Sequence, residues 1–185
     1  MEIRVLSSDD VQKALPMAEA IEGMKRAYSR LSSGRVEMPL RSRVHVPEQE
    51  GVLLTMPAAL PDDSEMAVKL VTVFGKNPAR GFPLIHAAVL VLDTENGQIK
   101  ALMDGEVLTA VRTGAGVGAA TELLASTDAV SVAIIGSGKQ ACSQLDAVCT
   151  VRSIRQAWVY SPNLEHAQNF VEKMSGVGSI PKDIQ

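Results

Sequence analysis

The fold is indicated most directly by one stretch of the chain, Val130-Ser131-Val132-Ala133-Ile134-Ile135-Gly136-Ser137-Gly138-Lys139-Gln140-Ala141. Its first half is a nearly continuous apolar run, which is typical of a strand buried on both faces of a sheet. Its second half is a G-x-G-x-x-A pattern that leads into a helix ending near Thr150. This order of strand, glycine turn and helix predicts a dinucleotide-binding turn, with an ordinary tight strand-to-helix turn as the alternative.

The glycine pattern is informative because each small residue in it has a physical use at such a site. Gly136 permits the tight turn, Gly138 leaves room for a pyrophosphate against the backbone, and Ala141 lets the helix approach the strand. The helix N-terminus adds N–H groups and a partial positive charge. We therefore predict that a dinucleotide cofactor contacts a set of residues around this turn: Gly136, Ser137, Gly138, Lys139, Gln140 and Ser161.

A second apolar strand is predicted over residues 157–160, and its carboxyl end bears on the choice of cofactor. NAD-binding domains of this type usually carry Asp or Glu there, where the carboxylate binds the ribose. The residues present are Tyr160, Ser161, Pro162 and Asn163, and none of them is acidic. No basic residue clearly replaces the carboxylate to hold a 2′-phosphate. The pattern leaves NAD and NADP open, with a slight preference for NADP, and it predicts that Ser161-Pro162 caps the next helix.

The region 126–185 is too short for a whole dinucleotide-binding domain. Such domains usually contain about six strands, whereas this region predicts two strands and the start of a third at Ile180. Two strands alone would leave apolar sheet edges exposed. We therefore expect residues 126–185 to be the first part of an incomplete Rossmann domain in a longer protein, and we expect this chain alone to be inactive.

Residues 1–125 have a different pattern and predict an α+β domain, so that the whole chain is expected to be an α/β protein. Apolar residues from Ile21 to Leu31 recur on one face of a helix that ends at Gly34. Asn96-Gly97 predicts a hairpin turn, and Gly105 to Ala125 predicts a helix crowded with small residues. Five segments rich in Val, Leu and Ile predict a mainly antiparallel sheet: 36–46, 51–57, 65–74, 84–93 and 98–103.

The composition excludes several classes of function. The 185 residues are 46% hydrophobic, and 18 basic against 21 acidic residues give a net charge of −3. That balance provides no basic surface for nucleic acid or for an anionic membrane. No apolar stretch approaches the ~20 residues of a membrane-spanning helix, since Arg112 and Glu122 interrupt the run from Val107 to Ala125.

The start of the chain and its cysteines do not indicate secretion or a metal site. Met1-Glu2-Ile3-Arg4 lacks a basic flank followed by an apolar block, so no signal peptide is expected. Cys142 and Cys149 lie in a helical pattern, which fits neither a disulfide framework nor a C-x-x-C metal site. We expect a soluble cytoplasmic protein that binds no metal.

The residues quoted above, with others upstream, resemble the ornithine cyclodeaminase/mu-crystallin family. Each matching stretch is weak evidence alone, but the stretches follow the family's order at similar spacing across essentially the whole chain. Members of the family are considerably longer, which agrees with the missing strands. The matching stretches are Arg43-Val44, Met56-Pro57, Lys69-Leu70-Val71-Thr72, Leu84-Ile85-His86, Asp104-Gly105, Thr109-Ala110-Val111-Arg112-Thr113 and Ile134 to Ala141.

The resemblance implies an N-terminal domain that binds substrate and dimerises through its sheet, joined to a Rossmann domain. In such enzymes a hydride passes between nicotinamide and the α-carbon of an amino or imino acid. Members include amino-acid cyclodeaminases, alanine dehydrogenases and reductases of cyclic ketimines, and mu-crystallin also binds thyroid hormone. What the resemblance implies here is a homodimeric NAD(P)-dependent enzyme of amino or imino acid metabolism, active in its full-length form.

By the same resemblance, Arg43, Lys69 and Arg112 would surround the substrate carboxylate. A guanidinium holds a carboxylate in two-point geometry, which fixes the α-carbon at hydride distance. Lys69 lies in an apolar run, where burial would lower its pKa and suit it to catalytic proton transfer. The resemblance also implies that Arg112 contacts the cofactor and that His86 lies near cofactor and substrate. The alternatives are surface charges or ion pairs for the cations and a satisfied core position for His86.

Two departures from the family pattern narrow the expectation. Ornithine-cyclising members tend to carry a carboxylate two residues before the Met-Pro pair, and here that position is Leu54. Leu54 offers the second amine of ornithine no partner, so we expect an imino-acid reductase or a simple amino-acid dehydrogenase. The catalytic aspartate of the family would lie beyond Gln185.

Two other hypotheses stay open at this point. A mu-crystallin-like protein would bind NADPH and a small carboxylate ligand without turnover. A truncated chain would keep the N-terminal interface and dimerise without activity.

Overall fold

The computed structural model describes residues 2–185, except for the side chain of Asp63. Its tertiary contacts divide the chain into two compact units. The first unit comprises residues 2–14 and Ser29–Leu108, and the second comprises Leu15–Tyr28 and Thr109–Gln185.

The first unit is built on a six-stranded sheet. Its strands are β1 (Arg4–Leu6), β2 (Ser42–Val46), β3 (Gly51–Leu60), β4 (Glu65–Phe74), β5 (Ile85–Asp93) and β6 (Ile99–Asp104). Their order across the sheet is β1-β6-β5-β4-β3-β2. All neighbours are antiparallel except β1 and β6, which pair in parallel. The prediction of a mainly antiparallel sheet is confirmed.

The hairpin between β5 and β6 turns where the sequence predicts it. Gly97 has φ +74°, and its N–H donates to the Asp93 carbonyl over 2.9 Å. Positive φ is costly for residues with a Cβ, which is why glycine marks this turn.

The edge strand β2 is shorter than the predicted segment 36–46. Before Ser42, the only described pairing is an isolated bridge between Glu37 and Ala59. Pro39 explains the difference, because proline has no N–H to donate to the neighbouring strand. The short helix α1 (Ser8–Ala14) completes this unit next to β1 and β6, with Val11 buried.

The second unit contains the predicted strand–helix–strand–helix segment. Its elements are β7 (Ser131–Ile135), α4 (Lys139–Val151), β8 (Gln156–Tyr160) and α5 (Leu164–Met174). β7 and β8 pair in parallel, and Ile184 forms a further parallel bridge with Ala157. The third strand of the sheet therefore begins near Ile184 and not at Ile180, which is 4% exposed and belongs to the core.

Two helices have residues in both units, α2 (Met17–Ser32) and α3 (Gly105–Leu124). In the second unit, Ile21 of α2 packs with Ala115 and Ala119 of α3 and with Ala147 of α4. The small side chains of α3 allow this close packing. The contacts divide the chain within α3, between residues 108 and 109. The domain boundary expected between residues 125 and 126 stays a prediction.

Among the described residues, no helix has the length and apolar character needed to cross a lipid bilayer.

Candidate functional site

The turn between β7 and α4 has the conformation that its glycine pattern predicts. Gly136 has φ +103°, which residues with a Cβ rarely adopt. Its N–H donates to the Tyr160 carbonyl over 2.7 Å and so ties the turn to the end of β8. Gly138 is the N-cap residue of α4, so the cap itself puts no side chain over the helix N-terminus.

The backbone of this turn faces open space. An ideal Cβ on Gly136 or Gly138 would meet no described atom within 4 Å beyond its own chain neighbours. A cavity of about 470 Å³ adjoins the turn, and its lining includes Ile135, Lys139 and Gln140. An uncovered glycine backbone at a helix N-terminus suits a pyrophosphate. These residues therefore fit a dinucleotide cofactor.

The carboxyl end of β8 lies beside the turn and carries no carboxylate. Tyr160 is 64% exposed there, and Ser161 is half-buried. Tyr160 contributes its carbonyl to the glycine turn, while Ser161 follows it directly. The roles predicted for Ser161 and for residues 136–140 in cofactor binding stay predictions.

The start of α5 differs from the sequence prediction. The cap is Asn163, whose Oδ1 accepts from the N–H groups of Glu165 (2.9 Å) and His166 (3.3 Å). The prediction that Ser161-Pro162 caps this helix is wrong. The amide oxygen of Asn163 reaches the N–H groups two and three residues ahead, which is the usual N-cap geometry.

Strand register places two predicted substrate residues on one face of the first unit's sheet. Arg43 lies opposite Leu54, and Lys69 lies opposite Met56. Leu54 and Met56 are alternate residues of β3, and alternate residues of a strand share a face. Arg43 and Lys69 therefore lie on the same face, on the two strands that flank β3. Arg43 is exposed and Lys69 is half-buried.

The same register places His86 on the other face. His86 lies opposite Thr72 of β4, and Thr72 is three residues from Lys69, which reverses the side. The sheet therefore does not bring His86 to the face that carries Arg43 and Lys69. Its exposed position near the start of β5 also differs from the core position that was the alternative.

Arg112 belongs to the second unit and is exposed on α3. It lies one turn after Thr109, whose carbonyl accepts a 2.6 Å hydrogen bond from Thr113 Oγ1. The roles predicted for Arg43, Lys69, His86 and Arg112 toward substrate or cofactor stay predictions.

A buried arginine that the sequence reasoning missed joins α4 to α3. The side chain of Arg152 donates to carbonyl oxygens at and beyond the end of α3, although the residue is only 9% exposed. The available signal was a cation at the end of an apolar helix, where it can bind unpaired carbonyls. The accepting residues are Thr121 (2.8 Å), Glu122 (3.1 Å), Ala125 (2.9 Å) and Ser126 (2.9 Å).

Arg41 is a second residue that the sequence reasoning passed over. It directly precedes β2 and is exposed. The signal was its spacing of two residues from Arg43, because alternate residues of an extended chain lie on the same side.

Neither cysteine has the surroundings typical of a nucleophilic thiol. Cys142 and Cys149 are both unpaired thiols. Burial, with a smaller contribution from the charge of Asp146, raises the pKa of Cys149 to about 11. The Cys149 thiol is therefore protonated at neutral pH, and its side chain packs in the core of the second unit.

Taken together, the second unit contains a parallel strand pair with a dinucleotide-type turn, and the first contains an antiparallel sheet with two cations on one face. These features define the class of NAD(P)-binding proteins with a separate sheet domain. Residues 1–181 match the model of the ornithine cyclodeaminase/mu-crystallin family, and the chain belongs to that family.

One relative and two solved structures illustrate which proteins this chain is similar to. A Delta(1)-pyrroline-2-carboxylate reductase of Bacillus cereus is 32% identical over 168 residues, which is 91% of this chain and 52% of the relative. The structure of the Thermococcus litoralis enzyme of that name, in complex with NADH and L-proline, has a TM-score of 0.88 and 40% identity, covering 99% of this chain and 57% of that one. An archaeal alanine dehydrogenase dimer with bound NAD has a TM-score of 0.87 and 30% identity, covering 100% and 56%.

Two facts follow from these comparisons. The chain spans about half the length of the relatives that it matches. Its fold is that of a sheet domain followed by part of a Rossmann domain, and both structural neighbours bind NAD or NADH.

Proposed function

We propose that the chain belongs to an NAD(P)-dependent enzyme of amino and imino acid metabolism, and that its substrate is a small cyclic imino acid. The observation that carries this proposal is the open glycine turn at Gly136 and Gly138. The 40% identity to a pyrroline-2-carboxylate reductase solved with NADH and L-proline supports the substrate class. The absence of a carboxylate at Leu54 favours a substrate without a second amine.

Arg43, Lys69 and Arg112 would have two roles, which are orientation of the substrate and proton transfer. Arg43 and Arg112 would hold the substrate carboxylate, since a guanidinium offers two parallel donors. Lys69 would bind the same carboxylate and exchange a proton with the substrate nitrogen. The bound nicotinamide would supply or accept the hydride at the α-carbon.

We further propose that the enzyme prefers NADP. The support is the carboxyl end of β8, where Tyr160 to Asn163 include no carboxylate that would repel a 2′-phosphate.

A homodimer built through the sheet is also part of the proposal. The face opposite Lys69 carries several apolar side chains, which are half-buried in this chain. A second copy of the chain is the partner that such a face fits, and the alanine dehydrogenase neighbour is a dimer. The apolar side chains of that face include Leu53, Pro57, Val68, Leu70, Ala88 and Leu90.

The two unpaired cysteines favour a reducing compartment. We accordingly propose that the protein acts in the cytoplasm.

The test uses the protein made from its native gene. Oxidation of NADH or NADPH is followed by absorbance with Δ1-pyrroline-2-carboxylate or Δ1-piperideine-2-carboxylate as substrate. Turnover of either supports the proposal, and a higher kcat/KM with NADPH supports the cofactor preference. Tight NADPH binding without turnover of any cyclic imino acid would contradict the proposal and favour a binding protein.

Arg112 provides the first residue-level test. We expect Arg112→Ala to lower kcat/KM for the imino acid by about tenfold or more, because the carboxylate loses a charged donor pair. Arg155→Ala is the matched control, since Arg155 is an exposed arginine of the same unit outside the site. Similar kinetics for the two variants would rule out the role of Arg112.

A further inference from the structure

We propose that Gly114 is a positioning residue. Because Gly114 carries no side chain, α3 contacts the backbone of α4 directly. This contact fixes the position of Arg112 relative to the glycine turn. The inference rests on the proposed function, since it concerns the alignment of a substrate carboxylate with the cofactor.

The two helices touch at Gly114. An ideal Cβ there would lie 2.3 Å from the carbonyl oxygen of Ser143, 2.6 Å from its carbonyl carbon and 2.9 Å from its Cβ. Carbon and oxygen atoms normally come no closer than ~3.3 Å, so a methyl group would have to move the helices apart by roughly 1 Å. The nearest obstructing atoms belong to the backbone of α4, which cannot rotate aside as a side chain can.

The helices are joined at two further places. At Gly118, one turn after Gly114, an ideal Cβ would lie 3.1 Å from Cβ of Ala147, which is one turn after Ser143 on α4. Rows of residues four apart thus pack against each other. At the other end, Arg152 donates to the Thr121 carbonyl of α3 over 2.8 Å. The two helices are therefore in contact at three places along their length.

The Gly114 contact lies close to both parts of the candidate site in this unit. Arg112 is two residues before Gly114 on α3, and α4 begins at Lys139, four residues before Ser143. Each distance along the helix is at most about one turn of ~5.4 Å. A displacement at this contact would therefore pass directly to Arg112 and to the glycine turn. Misplacement by ~1 Å can cost about 100-fold in rate, even where both ligands still bind.

The experiment compares Gly114→Ala with Gly116→Ala in the protein made from its native gene. Gly116 is the matched control, because its added Cβ would first meet the Tyr28 hydroxyl at 3.0 Å, the free end of a side chain. We expect Gly114→Ala to lower kcat by about 100-fold, with KM for pyrroline-2-carboxylate and Kd for the reduced cofactor changed less than about threefold. Gly116→Ala is expected to keep kcat within about twofold.

A kinetic isotope effect separates alignment from loss of structure. With reduced cofactor deuterated at the transferred position, the isotope effect on kcat should rise in Gly114→Ala, because hydride transfer becomes slower than product release. Equal kcat values for the two variants, or a loss of kcat matched by an equal loss of cofactor binding, would overturn the positioning role.

Arg152→Lys covers the case in which Gly114→Ala does not fold. The lysine keeps the charge but reaches fewer carbonyls, so it loosens the helix pair without a collision. We expect about a tenfold loss of kcat with a larger isotope effect. A lower Tm with unchanged kcat would contradict the proposal.

An inactive wild-type protein would count against the proposed function and not against the role of Gly114. In that case, NADH-loaded protein is titrated with L-proline, and the change in NADH fluorescence at saturation is compared. We expect that change to be at least about twofold smaller in Gly114→Ala than in Gly116→Ala, because the nicotinamide and the ligand are misaligned. Equal changes would overturn the positioning role.

Discussion

At the scale of single residues, Asp146 is the carboxyl group that burial affects most clearly. It lies half-buried on α4, next to the core residues Leu145 and Ala147. Burial raises its pKa above the ordinary value of 3.8, because the charged form loses water. The folded state therefore binds this proton more tightly than the unfolded state does. Its contribution to stability is greatest below pH 3.8 and is lost as the pH rises through the raised pKa.

The change that tests this is Asp146→Asn. We expect the variant to have a higher free energy of unfolding than the wild type at pH 7, because no charge is buried, and we expect the difference to shrink toward pH 4. Urea denaturation across this pH range measures it. Glu172→Gln on the exposed side of α5 is the control. A pH-independent difference would show that the Asp146 charge is not the cause.

Most of what the sequence predicted about the candidate site depended on single residues. Gly136 was predictable because a positive φ excludes nearly every other residue. Leu54 was informative because, by the family resemblance, a carboxylate at that position would suit a substrate with a second amine. Arg152 was not predictable in its role, because the acceptors that join it to α3 lie 26 to 31 residues away along the chain.

At the scale of elements, α5 shows how one capping residue fixes the start of a helix. Its face with Ala167, Phe170 and Met174 packs into the core of the second unit. The cap at Asn163 satisfies two N–H groups that would otherwise have no partner within the helix. The spacing of the apolar residues predicted this helix. The predicted cap was wrong because Pro162, which directly precedes Asn163, favoured Ser161-Pro162 as the start of the helix.

We expect Asn163→Ala to lower the free energy of unfolding by about 1 kcal/mol, the usual cost of losing an N-cap side chain. Chemical denaturation measures the loss. Asn169→Ala provides the control, since Asn169 is exposed within the same helix and alanine favours a helix interior. An equal effect of the two substitutions would mean that the cap contributes nothing specific.

At the scale of the whole molecule, the face of the six-stranded sheet opposite Lys69 carries several half-buried apolar side chains. Leu70 lies between Thr55 and Ala88 on this face, and its neighbour Lys69 lies on the other face. Half-buried apolar side chains on such a face are expected to be covered by a partner. These half-buried apolar side chains support the proposed homodimer.

We expect Leu70→Asp to convert the dimer to monomers, because a charge in the centre of an apolar interface would be desolvated without a partner. Sedimentation equilibrium of the protein from its native gene measures the mass. Val5→Asp is the control, since Val5 is already 69% exposed on the edge strand β1. A wild-type protein that sediments as a monomer would remove the proposal, and a dimeric Leu70→Asp variant would move the interface elsewhere.

The sequence by itself determined the order of elements, the glycine turn and the hairpin at Asn96-Gly97. These depend on interactions between near neighbours along the chain: alternation in strands, the helical period and the φ angles open to glycine. With the family resemblance, it also indicated the class of chemistry that is proposed above. The length of β2 and the cap of α5 were estimated less well, because they depend on the missing N–H of Pro39 and on the side-chain acceptor of Asn163, which the apolar pattern does not contain.

Only the tertiary structure decided which residues share a surface. Arg43 and Lys69 came to one face and His86 to the other because of strand register, and a shift of one residue would have reversed any of them. The contact of Gly114 with Ser143 likewise depends on how two distant helices pack. Such arrangements follow from the shape and burial of many side chains at once, which no local stretch of sequence contains.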